Sequence, residues 1–298
     1  MLDFSRSIIE SRLLFDYPFL LKRDDLIHPY CNGNKARKFA ALLQNQYHQN
    51  IWLSYGGNQS NAMASLAYLA HIKGATFHYV MPKATFAPKG NLAFALKCGM
   101  RAHTLPVGSS VEHLKSYAHS LLTPKTLFIP QGGDVQMAYY GMRALACELK
   151  QSIEKQGRGS GVIIFYTSGS GVGVVALKKA LDLLYPQASL VALNCAKADL
   201  CALFDSHNVS APIILESPFI FAKPKIAIWD MQSYLKSHNV RCDIIYDSVG
   251  FYMLRQHLHA FKGYKLVFIH SGGLMGNLSQ LPRYAHILNP AHKRSQKV

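Results

Sequence analysis

The sequence predicts an α/β protein of two domains, each a three-layer αβα arrangement around a mostly parallel sheet. Short apolar runs recur along nearly the whole chain, with helical patterns between several of them. The runs end in Gly, Pro or polar residues, which punctuate strand ends. Two of them lead straight into a glycine-rich polar loop and then a helix, the alternation that builds parallel sheets covered by helices. The 298 residues support one large domain or two modest ones, since domains cluster near ~100–150. They are expected to divide into a larger unit, 1–40 with 151–298, and a smaller inserted unit, 41–150.

Candidate strands, in chain order, are Ile51–Leu53, Thr76–Val80, Ala102–Leu105, Leu127–Ile129, Val162–Tyr166, Leu190–Asn194, Ile213–Leu215, Asp243–Tyr246 and Leu266–His270. Met63, Leu66, Ala67 and Ala70 fall at i, i+3, i+4, i+7, and Gly74 follows as a helix terminator. Val174, Leu177, Leu181 and Leu184 form a second stripe, ended by Pro186. The polar stretch Lys155 to Gly161 is the candidate domain crossing, and Pro82 to Gly90 is a further loop. No internal repeat or low-complexity segment interrupts the pattern.

Hydrophobic residues make up 49% of the chain and charged residues 16%, enough to bury a sizeable core and to exclude general disorder. No apolar run reaches the ~20 residues that span a bilayer, so no membrane partner is expected. Asp3 and Glu10 interrupt the first ten residues, which do not read as a secretory signal. A cytoplasmic protein is the expectation. The six cysteines lack CxxC spacing and have no histidine at zinc-finger spacing, so no metal is expected. The net charge of +16 reflects 32 basic residues against 16 acidic ones. The bases are spread out, the densest cluster being the tail His292 to Lys297. With no zinc finger or RNA-recognition signature, this favours a generally basic surface over nucleic-acid binding.

In open parallel sheets, ligands bind beyond the carboxyl ends of the strands. After Val162–Tyr166 comes Thr167-Ser168-Gly169-Ser170-Gly171-Val172-Gly173 and then a helix. Small residues there let N–H groups converge at a helix N-terminus, either as an anion cup or as a plain tight turn. No Lys-Ser/Thr pair follows, so this is not a Walker A loop. After Ile51–Leu53 comes Ser54-Tyr55-Gly56-Gly57-Asn58-Gln59-Ser60-Asn61. Its polar run either holds a ligand carboxylate or caps the next helix through Ser60 or Asn61. Near the N-terminus, Lys22-Arg23-Asp24-Asp25 precedes Gly33-Asn34-Lys35-Ala36-Arg37-Lys38. Lys35 at a helix start is either a solvated lysine or a reactive amine. Tyr246-Asp247 and His270-Ser271-Gly272-Gly273 also follow apolar runs, and His270 is either a core histidine or a catalytic one.

Together these segments resemble the 1-aminocyclopropane-1-carboxylate (ACC) deaminase and D-cysteine desulfhydrase family. The similarity lies in Lys-Arg-Asp-Asp followed by Gly-Asn-Lys-x-Arg-Lys, in Gly-Gly-Asn-Gln-Ser-Asn, and in the order of segments from about Leu21 to Gly273. The resemblance implies a tryptophan-synthase-β-like fold and an enzyme with pyridoxal 5'-phosphate (PLP) on Lys35. It implies Asn61 and Asp247 near the cofactor ring, and its phosphate on Ser168, Gly169, Ser170, Gly171, Val172 and Gly173. Lys35, Ser60 and Tyr246 would act on a small amino acid held by Asn58, Gln59, Ser60, Phe221, Tyr246 and Ser271. A homodimer is usual for such enzymes.

Several positions depart from that family. Phe221 lacks the hydroxyl of the deaminases' tyrosine, Asp247 shortens their glutamate, and Ser271 is nearer the desulfhydrases' threonine. The polar Ser271 and the missing hydroxyl at Phe221 favour a D-cysteine desulfhydrase-type β-elimination giving pyruvate, sulfide and ammonia. ACC deamination to 2-oxobutanoate is the alternative, and a non-catalytic binder of the same fold is a further one.

Overall fold

The apolar runs assemble into two sheets. The computed structural model describes residues 1–44, 46–156 and 161–288. The chain opens with β1 (Ile9–Leu14) and β2 (Tyr17–Lys22), followed by α1 (Gly33–Phe39). Then β3 (Ile51–Tyr55), α2 (Asn61–Lys73), β4 (Thr76–Pro82), α3 (Gly90–Lys97), β5 (Arg101–Leu105), α4 (Val111–Ser120) and β6 (Thr126–Phe128) alternate. The long α5 (Val135–Glu154) leads to β7 (Val162–Ser168), α6 (Val172–Leu184), β8 (Ala188–Asn194), α7 (Leu200–Ser206) and β9 (Ile213–Glu216). After them come α8 (Ile226–Ser237), α9 (Asp247–His257), β10 (Lys265–Ile269) and the short α10 (Asn277–Gln280) and α11 (Ala285–Leu288).

One sheet has four parallel strands in the order β5-β4-β3-β6. The other has six, β1-β2-β10-β7-β8-β9, parallel except for the β1–β2 hairpin. Every residue of β7 is buried, as a central strand covered by helices on both faces must be. Ile164, Tyr166 and Val267 on one face meet Leu145 and Leu149 of α5 and Leu177 of α6. Phe165, Val191 and Phe268 on the other meet Leu235 of α8 and Phe251 of α9. In the smaller sheet, Trp52, Phe77 and Tyr79 pack with Phe39, Met63 and Leu66, while Leu53 and Val80 pack with Leu114 of α4. Burying each such side chain contributes roughly 1.5–3 kcal/mol. No helix among the described residues is long and apolar enough to cross a membrane.

The structure departs from expectation in two places. The hairpin β1–β2 was not among the expected strands, because its turn residues Phe15 and Asp16 lie at φ 56° and 57° without glycine or asparagine to signal a turn. The expected strand Asp243–Tyr246 is instead a turn leading into α9. Its reason is the Asp243 carboxylate, which accepts from the N–H groups of Ile245, Tyr246 and Asp247 and so satisfies a helix start rather than a ladder. The stripe on α2 ends at Gly74, which adopts φ 74° and donates to the last carbonyls. Of the expected crossing Lys155 to Gly161, residues 157–160 lie outside the described residues, as does the basic tail 292–297.

Candidate active site

A cavity of about 730 Å³ opens beyond the carboxyl ends of both sheets. Its walls are the loops that follow β3, β6, β7 and β8, together with α1 and the turn before α9.

Lys35 enters this cavity from α1, which is held tightly at both ends. A side chain at Gly33 would strike the backbone oxygen of Ser271, and one at Gly141 of α5 would strike the carbonyl of Arg37, at 1.8 and 2.0 Å. Below α1, the fully buried Arg37 guanidinium donates to Asp24 (2.7 and 3.0 Å) and to Glu148 (2.6 and 2.7 Å). Lys22 completes the network with Glu148 at 2.6 Å. Burial alone would raise the Asp24 carboxyl, but the charge and hydrogen bonds of Arg37 hold it below its usual range. The Lys35 amine donates to Asn34 Oδ1 at 2.7 Å and stands 5.5 Å from the centre of the Tyr246 ring. Burial pushes it down to about 8, against a smaller upward pull from Asp243 and Asp247. Such an amine is substantially free at mildly alkaline pH, as a reactive lysine requires.

A second wall of the cavity is the loop Ser168–Gly171. Gly171 begins α6 in a left-handed conformation, φ 85°, and no side chain caps that helix. Its N-terminus therefore presents backbone donors and the positive end of a three-turn dipole to whatever fills the cavity. Lys38, one turn after Lys35 on α1, is also buried in the lining. Its amine donates to the carbonyl of Gly132 at 2.5 Å. Gly132 in turn lies against the Ser170 side chain, where a Cβ would come within 2.4 Å of Oγ. Burial, and then the charge of Lys35, holds the Lys38 amine well below its ordinary value. No carboxylate pairs with it among the described residues. The Tyr166 hydroxyl in the same wall is buried without a hydrogen-bond partner.

The third wall is the loop before α2. Ser60 caps the helix, its Oγ accepting from the N–H groups of Ala62 and Met63 at 3.1 and 3.3 Å. It lines the cavity as well, so capping and a cavity position coexist in one residue. Asn91, buried at the start of α3, donates to Asn61 Oδ1 at 2.6 Å and to the carbonyl of Gln59 at 2.9 Å, fixing the loop.

Tyr246 packs against Gly169 on one side and lies 5.6 Å from the Phe221 ring on the other. Asp243 reaches the cavity lining, and burial with the charge of Asp247 pushes its carboxyl up to about 7. Asp247 lies behind the wall. It accepts from Thr167 Oγ1 at 3.1 Å and the Ser271 N–H at 3.0 Å, and pairs with His270 Nδ1 at 2.8 Å. Burial alone would lower His270, but Asp247 outweighs it and holds the imidazole protonated well above its usual range. Cys242 approaches His270 at Nε2, 3.9 Å, while Asp247 faces Nδ1. Cys242, Asp247 and His270 thus form a buried trio whose potential ligand atoms lie within 4.8 Å of one another, with Asp247 and His270 engaged as an ion pair.

The cavity therefore brings together Lys35, Asn58, Gln59, Ser60 and Asn61, then Ser168, Gly169, Ser170, Gly171 and Gly173, and finally Phe221 and Tyr246. Val172, Asp247 and Ser271 are not in its lining; Ser271 borders a hollow of about 20 Å³ on the far side of Lys35. Sequence reasoning missed Lys38, Asp243, Tyr166 and Asn91. The i, i+3 spacing of Lys35 and Lys38 on one helix was the available signal for the first. Asp243, four residues before Asp247, carried the spacing of a cap.

No protein-family model matches this chain, and no curated protein matches its sequence. The fold is nevertheless the tryptophan-synthase-β-like α/β architecture. The chain is similar to a solved structure described as an ACC deaminase homologue, with TM-score 0.79 and 21% identity over 95% of this chain and 93% of that one. It is similar also to a threonine deaminase from T.th. (TM-score 0.67, 15% identity, 90% and 92% covered). Maize serine racemase gives TM-score 0.66 at 13% identity, with 97% and 94% covered.

Proposed function

We propose that this chain is a PLP-dependent lyase or deaminase acting on a small amino acid, with D-cysteine-type β-elimination as its reaction. The carrying observation is a single cavity with a lysine amine lowered to about 8 at one wall and an uncapped helix N-terminus beside a carboxylate-free lysine at another. Those features fit a ligand with an aldehyde at one end and a phosphate at the other. The orphaned Tyr166 hydroxyl marks polar capacity in the same wall. Similarity of fold to a threonine deaminase and a serine racemase supports the same class.

PLP bound here would supply the electron sink that lets an amino acid lose its Cα proton. Lys35 is the amine that would hold the cofactor and then accept that proton. Ser168 to Gly173, the α6 N-terminus and Lys38 would hold the phosphate. Asn58 to Asn61 would hold the substrate carboxylate, with Ser60 and Tyr246 facing the reacting carbons. Asp247 would act from behind the wall only by its charge on Asp243, which lines the cavity. Phe221 supports elimination over ring opening, because no hydroxyl stands at that position. The similarity to an ACC deaminase homologue supports ACC deamination as the second reading.

Assays of the cofactor-loaded protein separate the two. Pyruvate and sulfide from D-cysteine are expected; 2-oxobutanoate from ACC, with no sulfide from D-cysteine, selects the second reading.

A further inference from the structure

Tyr166 stands in β7 with its ring among the core residues of α5 and α6, only 2% exposed, and it lines the cavity as well. Its hydroxyl has no hydrogen-bond partner among the described residues. A side chain at Gly173, in the first turn of α6, would come within 2.3 Å of the hydroxyl oxygen, so only glycine leaves that oxygen uncovered. The Asn34 amide of α1 lies on another side, but its Oδ1 is taken by the Lys35 amine and no hydrogen bond joins Asn34 to Tyr166. Burial, and then the charge of Asp24, pushes the hydroxyl well above the ordinary tyrosine range, and the Asn34 amide pulls the other way. The hydroxyl therefore keeps its proton, a neutral donor that an anion can approach without meeting like charge. Left unpaired, such a buried donor costs stability. The uncapped start of α6 adjoins it, and the first residue of that helix, Val172, is buried outside the cavity lining and brings no hydroxyl. Lys38 lies one turn beyond Asn34 on the same face of α1, its amine on the carbonyl of Gly132, which abuts Ser170. An amine, a helix N-terminus and a protonated hydroxyl together suit a group with several anionic oxygens.

On the strength of the PLP reading above, we propose that Tyr166 is a further cofactor-binding residue of this chain, its hydroxyl donating to a phosphate oxygen of PLP and so selecting the phosphorylated cofactor. In the cofactor-free protein the hydroxyl is a net cost. In the loaded protein it makes a hydrogen bond to an ionised acceptor, among the stronger kinds. Lys35 cannot make the same selection, because pyridoxal carries the same aldehyde and ring without the phosphate.

PLP and pyridoxal therefore form the test. Cofactor-free protein and its Tyr166→Phe variant are each titrated with both compounds while the visible absorbance of the bound form is followed. The variant is expected to bind PLP about tenfold more weakly and pyridoxal less than about twofold more weakly. The Tm of the cofactor-free variant is expected to stay level or rise, because the ring is kept and an unpaired buried hydroxyl is removed. PLP and pyridoxal weakened alike, with a lower Tm, would assign Tyr166 to packing alone and overturn the proposal. Affinities that do not change would assign the hydroxyl to a bound water and overturn it too. In both cases the unaltered protein still forms its band with PLP, so the cofactor reading stands. Unaltered protein that acquires no visible band with PLP overturns the cofactor reading and this inference together.

Discussion

Two lysines one helical turn apart set the chemistry of this cavity, and burial treats them differently. Lys35 keeps two aspartates within electrostatic reach and settles near 8, whereas Lys38 has only a carbonyl and is held well below its ordinary value by burial. The rate at which cofactor-free protein takes up PLP should therefore rise with pH through about 8; stopped-flow absorbance that shows the rise only near 10.5 would mean an unperturbed amine. Asp243 titrates in the opposite sense. Its carboxyl ionises near 7 in the fold and near 3.8 unfolded, so the folded chain binds more protons between those values. This contribution makes stability fall as pH rises from about 4 to 7. Asp243→Asn should shrink that fall in urea denaturation at about pH 4.5 and 7, and an unaltered difference would assign the titration elsewhere. Sequence nominated Lys35 only through the family resemblance, since its Asn-Gly-Asn helix start by itself left a solvated lysine open. It could not reveal that Asp247 turns away toward His270 and leaves Asp243 at the wall, because that depends on a contact with residue 270 across the sheet.

The element that matters most is α1, a seven-residue helix too short to be stable by itself. Its position comes from its neighbours: the Ser271 backbone at Gly33, α5 at Gly141, and the Arg37–Asp24–Glu148–Lys22 network beneath it. Gly141→Ala should force α1 away from α5 and cost about 1–3 kcal/mol by overpacking, measured by chemical denaturation, with weaker PLP uptake alongside. Asp24→Ala leaves the fully buried Arg37 half paired and should cost about 3–5 kcal/mol; a change under about 1 kcal/mol would show that Glu148 alone suffices. Strands and helices with a clear period were legible, as in β7 and the stripe of α6. The β1–β2 hairpin was not, since Phe15 and Asp16 carry a left-handed turn without its usual residues. Nor was the turn at Asp243, where apolar Ile244 and Ile245 imitate a strand and a single carboxylate decides otherwise.

At the scale of the whole molecule, the cavity exists because two parallel sheets direct their carboxyl ends toward one space. The strand–loop–helix junctions after β3 and β7 were readable one by one, and the order of motifs tied them to a fold. Val111, which lines the cavity from α4, and Asn91, which holds the Gln59–Asn61 loop from α3, were not readable, since neither carries a local mark. A ligand spanning that space stabilises the folded chain by about 2.7 kcal/mol at a hundredfold excess over its Kd. PLP should therefore raise Tm by roughly 5 °C, and Lys35→Ala should reduce the rise. The most direct test of the central claim is to reduce the PLP-loaded protein with borohydride and map the modified lysine by mass spectrometry. The pyridoxyl group should be found on Lys35. Finding it on Lys38, on any other lysine, or on none would contradict this account of the site.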